Sequence, residues 1–149
     1  MNTNSRKLNL AWKIMLLPCF VLLIPSTLQF FVPSLYVGIY IRGLSGMTPE
    51  QVVAINPAFY EVMKLGFQGL GLTMIGLLIL SVGVILTAFR NGEKWAWIAL
   101  MSSYTFLWVA NLVLEVRGGG GLFLIGYSVL ATALLVTGGL LAYEDTFNG

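Results

Sequence analysis

Residues 66–89 read GFQGLGLTMIGLLILSVGVILTAF, and this stretch of 24 residues contains no charged side chain. About 20 apolar residues are enough for an α-helix to cross the hydrocarbon core of a bilayer. Three more uncharged stretches of similar length lie at 14–32, 95–114 and 118–143. Lipid offers no hydrogen bonds to the backbone, which favours helices here, and the alternation of a membrane β-barrel is absent. The sequence therefore predicts an all-α membrane protein.

The composition of the whole chain agrees with this prediction. Of its 149 residues 58% are hydrophobic and 9% are charged, whereas a soluble domain has about 25% charged residues. The length fits one domain. We predict a single polytopic domain over 1–149, an antiparallel bundle of four transmembrane helices with one structured outer loop. The predicted helices cover about 10–32, 57–89, 95–115 and 120–143, and the outer loop covers 33–56.

Several classes of chemistry are disfavoured by what the sequence lacks. It has no histidine, and Cys19 is its single cysteine, which argues against imidazole metal sites, histidine acid–base catalysis and CxxC redox motifs. No nucleophile stands beside a base, and no glycine-rich phosphate loop follows a strand. The net charge of +2 is too small to indicate nucleic acid. We therefore expect no metal and no cofactor, and enzymatic activity is not favoured.

The basic residues set an orientation. Cytoplasmic loops of membrane proteins carry an excess of Lys and Arg. Five basic residues fall on the side of the termini and three on the other, which predicts both termini in the cytoplasm. The five are Arg6, Lys7, Lys13, Arg90 and Lys94, and the three are Arg42, Lys64 and Arg117. Aromatic residues typical of a membrane interface lie on the same predicted inner side: Trp12, Trp95, Trp97 and Tyr143.

The outer loop carries two helix-start signals. Thr48-Pro49-Glu50-Gln51 has the form of a capping box with proline at the first helical position. Asn56-Pro57 repeats the signal, so the second long helix is predicted to begin near Pro57, outside the membrane. We expect the loop to fold over the bundle.

Polar residues gather towards the outer side of the predicted bundle. The third helix carries Tyr104, Trp108, Asn111 and Glu115, whose spacing of i, i+4, i+7 and i+11 puts them on one face. Gln29, Gln68, Tyr127 and Ser128 lie at a similar depth on the other helices. One interpretation is structural: amides bond between helices, and Glu115 pairs with Arg42, Lys64 or Arg117. The other is a ligand pocket under the loop, with apolar walls and a few directed polar groups.

The second long helix carries small residues at a regular interval. Gly69, Gly76 and Gly83 recur every seven residues, and Thr73 lies on the same stripe. Small residues let membrane helices approach closely. The stripe predicts a packing interface, either with another helix of this chain or with an oligomer or partner subunit. Gly138-Gly139 is a second, weaker example.

The turn FRNGEKWAW at 89–97 carries a family resemblance. It is similar to small four-helix prokaryotic membrane proteins of the DoxX-like and neighbouring uncharacterised groups, in which a basic turn precedes Trp-Ala-Trp at the start of helix three. The resemblance covers about nine residues and the four-span layout. It implies a four-helix bundle and gives little about activity.

Two hypotheses of function follow. The leading one is a non-catalytic subunit or scaffold within a larger membrane assembly, because catalytic motifs are lacking and the second long helix carries the glycine stripe. The alternative is a binder or carrier of a small apolar molecule, such as a lipid, a quinone or a sterol-like compound. Its candidate residues are Tyr104, Trp108, Asn111, Glu115, Gln29 and Gln68. The expected partners are the bilayer, other membrane subunits or further copies of the chain.

Overall fold

A computed structural model describes residues 6–118 and 121–147, apart from the side chain of residue 123. Over these ranges the chain forms helices and no strand. The four long helices are α1 (Arg6–Phe31), α4 (Pro57–Thr87), α5 (Lys94–Gly118) and α6 (Gly121–Phe147). The short helices α2 (Pro33–Ser45) and α3 (Pro49–Ile55) connect α1 to α4, and a 3-10 turn at Phe89–Asn91 leads from α4 to α5.

The four long helices are each long and apolar enough to cross a membrane, with mean hydropathies between 1.5 and 2.5. The predicted all-α four-helix bundle is thereby confirmed. The helices α1, α5 and α6 extend several residues beyond the predicted ranges because helical backbone continues into polar ends. The connection between α5 and α6 consists of residues 119 and 120, which lie outside the described residues.

The packing of the long helices is uneven. Helix α1 packs along both α4 and α6, and α5 packs along α6, whereas α4 and α5 scarcely touch. The buried core follows the well-packed helix pairs, with Met15, Ile85, Trp108 and Leu135 among its most buried side chains. The bundle is therefore open along one seam, between α4 and α5.

The close approach of α1 and α4 occurs at Gly71. A Cβ atom added there would lie 2.7 Å from both the Phe30 nitrogen and the Ser26 oxygen, which are backbone atoms of α1. On α6 the predicted glycine pair also packs closely, since Gly138 faces Met15 and Gly139 faces Met101. Because glycine has no side chain, the neighbouring helix comes close to the backbone at these three positions.

The glycine stripe of α4 points the other way. An added Cβ at Gly69, Gly76 or Gly83 would meet no heavy atom within 4 Å, and Thr73 is exposed. The buried face of the helix is instead formed by Gly71, Met74, Leu78 and Ile85. The alternative in which the stripe packs against another helix of this chain is therefore wrong, because the stripe lies on the face turned away from α1.

The outer connection is helical and capped as predicted. Thr48 Oγ1 accepts from the Gln51 backbone N–H, and Gln51 Oε1 accepts from the Thr48 N–H at 2.8 Å, which completes the capping box. Asn56 Oδ1 accepts from the Phe59 N–H at 3.0 Å and caps α4 at its predicted start. Helix α2 buries Tyr36, Val37 and Ile41 and packs against α4 and α1. The expected fold of this segment over the bundle is confirmed for α2.

The opposite end of the bundle is a basic and aromatic layer. Arg90 lies over the Trp12 ring at 5.9 Å, and Lys7 pairs with Glu144. Trp97 contacts the Tyr143 ring edge-to-face at 5.6 Å and donates its indole N–H to the Gly139 oxygen. All four predicted interfacial aromatics thus lie at the end that holds the 90–94 turn, since Trp95 is the second residue of α5.

Gly71 provides a test of this packing. We expect Gly71→Ala to lower the free energy of unfolding by about 1–3 kcal/mol, because its methyl group would press on backbone atoms of α1 that have little room to move. Gly76→Ala is the matched control, since its methyl group enters open space and alanine favours helix. Thermal unfolding of both variants in the same detergent, followed by circular dichroism, checks this. Equal midpoints for the two variants would contradict the assigned contact.

Candidate functional site

A cavity of about 470 Å³ lies where the outer part of the seam between α4 and α5 meets α2. All four long helices and α2 contribute to its wall. Most of the lining is apolar, and the polar part comes from a few side chains. Those polar residues are Ser26, Gln29, Asn111, Glu115 and Arg117, and the aromatic residues are Tyr36, Tyr40, Phe67, Trp108 and Tyr127. We refer to this space as the outer cavity, a name that denotes only the end of the bundle that holds α2.

Glu115 is the carboxylate of the outer cavity. It is half-buried, and the Ser128 hydroxyl, itself fully buried, donates to Glu115 Oε2 at 2.6 Å. The predicted ion pair with Arg42, Lys64 or Arg117 is wrong. Lys64 instead pairs with Glu61 at 2.8 Å, one turn away on the same helix, and within the described ranges neither arginine forms an ion pair with Glu115.

Trp108 and Tyr127 form a second polar feature of the wall. Their ring centroids are 6.0 Å apart, and Trp108 is 1% exposed. The indole Nε1 of Trp108 and the hydroxyl of Tyr127 are buried with no hydrogen-bond partner among the described residues. A buried polar group without a partner costs about 1–3 kcal/mol. The packing therefore leaves these two atoms, which are closed off from the cavity surface, without a compensating bond among the described residues.

Helix α2 supplies aromatic rings from above. The rings of Tyr36 and Tyr40 lie 6.0 and 5.3 Å from that of Phe67 on α4. Burial, together with the neighbouring Tyr40 and the charge of Glu115, raises the pKa of Tyr36 to about 12. Burial and the same carboxylate also raise the pKa of Tyr40. Glu115 thus acts electrostatically on both tyrosines, which places α2 and α5 around one space.

A smaller cavity of about 230 Å³ lies next to the outer one, towards the other end of the bundle. Leu22, Met74 and Leu107 line both spaces, so these three side chains stand between the two cavities. The inner cavity is almost wholly apolar apart from Ser81, Ser103 and Tyr104. The Tyr104 hydroxyl lies 3.2 Å from Cys19 Sγ, and this pair holds α5 to α1 at that depth.

The predicted site residues separate into three groups in the structure. Trp108, Asn111, Glu115 and Gln29 line the outer cavity, whereas Tyr104 lines the inner one. Gln68 lines neither: its amide Nε2 donates to the Phe30 oxygen at 3.4 Å and so bonds α4 to α1. That contact is the interhelical role which the structural interpretation expected of the amides.

Sequence reasoning missed three of the five aromatic residues of the site, Tyr36, Tyr40 and Phe67. Tyr36 and Tyr40 were assigned to the outer loop without a role, and Phe67 was treated as part of a span. The i, i+4 spacing of the two tyrosines after Pro33 was the available signal, since it places both rings on one face of a helix that begins at that proline. No group of three or more His, Cys, Asp or Glu residues suited to a metal is found within 6–118 and 121–147.

The fold and the site together define a multi-pass, all-α membrane protein with a cavity under its outer helix α2. Comparisons with protein-family models, with curated proteins and with solved structures give no match to this chain. The resemblance of residues 89–97 to DoxX-like proteins therefore stays a prediction, and the function has to be inferred from the site itself.

Proposed function

We propose that the protein binds or carries a small, largely apolar molecule in the outer cavity. One observation carries the proposal: an apolar space under α2 is lined by the half-buried side chains of Gln29, Asn111 and Glu115, and among the described residues only Glu115 has a side-chain hydrogen bond, from Ser128. A packed core ordinarily pairs its buried polar atoms, and interhelical bonding would have used these groups. A ligand site needs such groups free.

The size of the space supports the proposal. Sites for small molecules typically measure about 300–1,000 Å³ and combine apolar walls with a few directed polar groups. The outer cavity, at about 470 Å³, falls in this range, and the adjacent apolar cavity lies behind Leu22, Met74 and Leu107. Asn111 and Gln29 are half-buried in its wall and make no side-chain hydrogen bond within the described part of the chain. Their amides are thus available to a ligand.

The open seam supplies a route of entry. Leu70 on α4 and Leu114 on α5 line the outer cavity and are 47% and 62% exposed. Both side chains are apolar, so a molecule dissolved in the bilayer would pass between them without leaving an apolar environment. This geometry fits a ligand that arrives from the membrane.

The proposal is tested by blocking the space. We expect Leu107→Trp to remove a small molecule that copurifies with the wild-type chain, because Leu107 lies where the two cavities meet and indole would fill the junction. The measurement is native mass spectrometry after purification in lipid nanodiscs. Leu107→Phe, a smaller change, tests the same point if the larger one disturbs folding.

Leu80→Trp is the matched control for this experiment. Leu80 lies on α4, is 65% exposed and lines neither cavity, so the same substitution should leave the bound molecule in place. A wild-type chain that releases no small molecule, or a Leu107→Trp chain that retains one in full, would contradict the proposal.

A second candidate function is favoured by the outward stripe of α4. Gly69, Gly76 and Gly83 leave open space on the helix surface, and the Thr73 hydroxyl bonds back to the Gly69 oxygen at 2.9 Å. The face is therefore smooth and without free polar groups, as close helix–helix packing in a membrane requires. In this candidate the protein is a subunit of a larger assembly and α4 contacts its neighbour.

The stripe is tested by filling it. We expect Gly76→Leu and Gly83→Leu to separate the chain from a neighbouring subunit while leaving the bundle folded, because the added side chains meet no atom of their own chain. Gly126→Leu on α6, which also enters open space, is the control. Mass of the detergent-solubilised species by light scattering checks the outcome. Wild-type and stripe variants of equal mass would count against an interface at α4.

We propose an orientation with both termini in the cytoplasm of a prokaryotic cell. The basic and aromatic layer around Trp12 and Trp97 fits the inner interface, and α2 and α3 then lie outside. In a Cys19→Ser background, we expect an impermeant maleimide added to intact cells to label Glu50→Cys and to spare Glu93→Cys. Both positions are exposed, on opposite ends of the bundle. The reverse pattern would invert the orientation.

A further inference from the structure

The chemistry of the outer cavity, taken with the proposed binding function, narrows the class of ligand. Glu115 is a half-buried carboxylate whose one donor is the neutral hydroxyl of Ser128. A carboxylate has about four acceptor sites, and a buried anion is costly unless a cation or several donors compensate it. Within 6–118 and 121–147 no Lys or Arg forms an ion pair with this group. The outer cavity therefore holds a carboxyl group with unused hydrogen-bonding capacity.

Aromatic rings occupy much of the remaining wall. Tyr36, Tyr40, Phe67, Trp108 and Tyr127 come from four different helices and line the same space as Glu115. The faces of such rings are electronegative and attract a cation within about 6 Å, most strongly where water is excluded. Sites for quaternary ammonium groups use this combination of rings around a positive charge. A neutral lipophilic molecule would contact the apolar walls and would leave the Glu115 carboxylate uncompensated.

Arg117 is the one basic residue of the lining, and its position fits this assignment. It lies in the last turn of α5, is exposed, and forms no ion pair with Glu115 within the described chain. Long basic side chains at helix ends extend towards water. Its charge is thus placed at the mouth of the cavity and screened there, while Glu115 lies deeper beside the fully buried Ser128.

We propose that the outer cavity recognises a lipophilic organic cation, whose charged group lies between the Glu115 carboxylate and the surrounding aromatic rings. This assignment rests on the proposed binding function and specifies its ligand. The apolar part of the molecule would extend past Leu22 and Met74 into the inner cavity. The amides of Gln29 and Asn111 complete the wall and bond to any polar atom near the charge.

The test compares two probes of the same shape. Benzyltrimethylammonium carries a positive nitrogen, and neopentylbenzene has a neutral carbon in its place. Binding is measured by equilibrium dialysis against the full chain in nanodiscs of neutral lipid, with empty nanodiscs subtracted. We expect the cation to bind at least about tenfold more tightly than its neutral analogue, a ratio that corresponds to about 1.4 kcal/mol.

The carboxylate and the rings are then tested separately. Glu115→Gln should remove the preference for the cation and leave the neutral probe unchanged, whereas Glu93→Gln, the same change on the exposed turn at the other end, should preserve it. Tyr40→Leu should weaken the binding of the cationic probe and leave that of the neutral probe unchanged. Tyr40→Phe, which keeps the ring, should bind the cationic probe as the wild-type chain does. The Tyr40 pair does not alter the carboxylate, so it tests the site even if Glu115→Gln folds poorly.

The outcomes separate this inference from the function on which it rests. Equal affinity for both probes would overturn the cation assignment and leave a cavity that binds neutral molecules. Absence of specific binding of either probe, together with no copurifying molecule in the nanodisc experiment above, would overturn both proposals. A cation preference that survives in Glu115→Gln would also overturn the assignment, because the charge would then be recognised elsewhere.

Discussion

The need to pair every backbone polar group inside the helices governs the rest of this structure. In an apolar solvent an unpaired carbonyl or N–H costs several kcal/mol, so hydroxyl side chains of the long helices bond mostly to carbonyls of their own helix. Ser26 donates to Leu22, Thr87 to Gly83 and Thr137 to Ala133, each at 2.7–2.8 Å. Such bonds use up polar groups without joining helices. Ser128 differs, because it donates across to Glu115 on α5.

Cohesion between the helices therefore depends on close packing at a few positions. Gly71 sets α4 against α1, and the Gly138-Gly139 pair sets α6 against α1 and α5. These contacts place α4 and α6 on the two sides of α1 and place α5 against α6. The gap between α4 and α5 then follows from geometry, and α2 closes its outer part. The outer cavity is thus a consequence of where the small residues lie.

The sequence was sufficient for the helices and for much of the site. Local chemistry predicts the span lengths, the capping box at Thr48 and the helix start at Asn56. The helical spacing along α5 predicts one face for Trp108, Asn111 and Glu115, and all three line the outer cavity. The sequence could not show that Gly71, and not the stripe of Gly69, Gly76 and Gly83, packs against α1. A seven-residue spacing identifies a smooth stripe, but the side on which α1 lies depends on the register between helices. The tyrosines of α2 and the partner of Glu115 depend on that same register.

Stability and binding are linked in such a site. Among the described residues the Trp108 indole and the Tyr127 hydroxyl have no partner and Glu115 has a single donor, and each of these reduces the free energy of unfolding. A better-packed core would lack the cavity and be more stable. A molecule that binds the folded chain stabilises it by mass action, by about 2.7 kcal/mol at a concentration one hundred times its dissociation constant. Glu115, which lowers the free energy of unfolding in the absence of a cation, is in this proposal the group that a bound cation compensates.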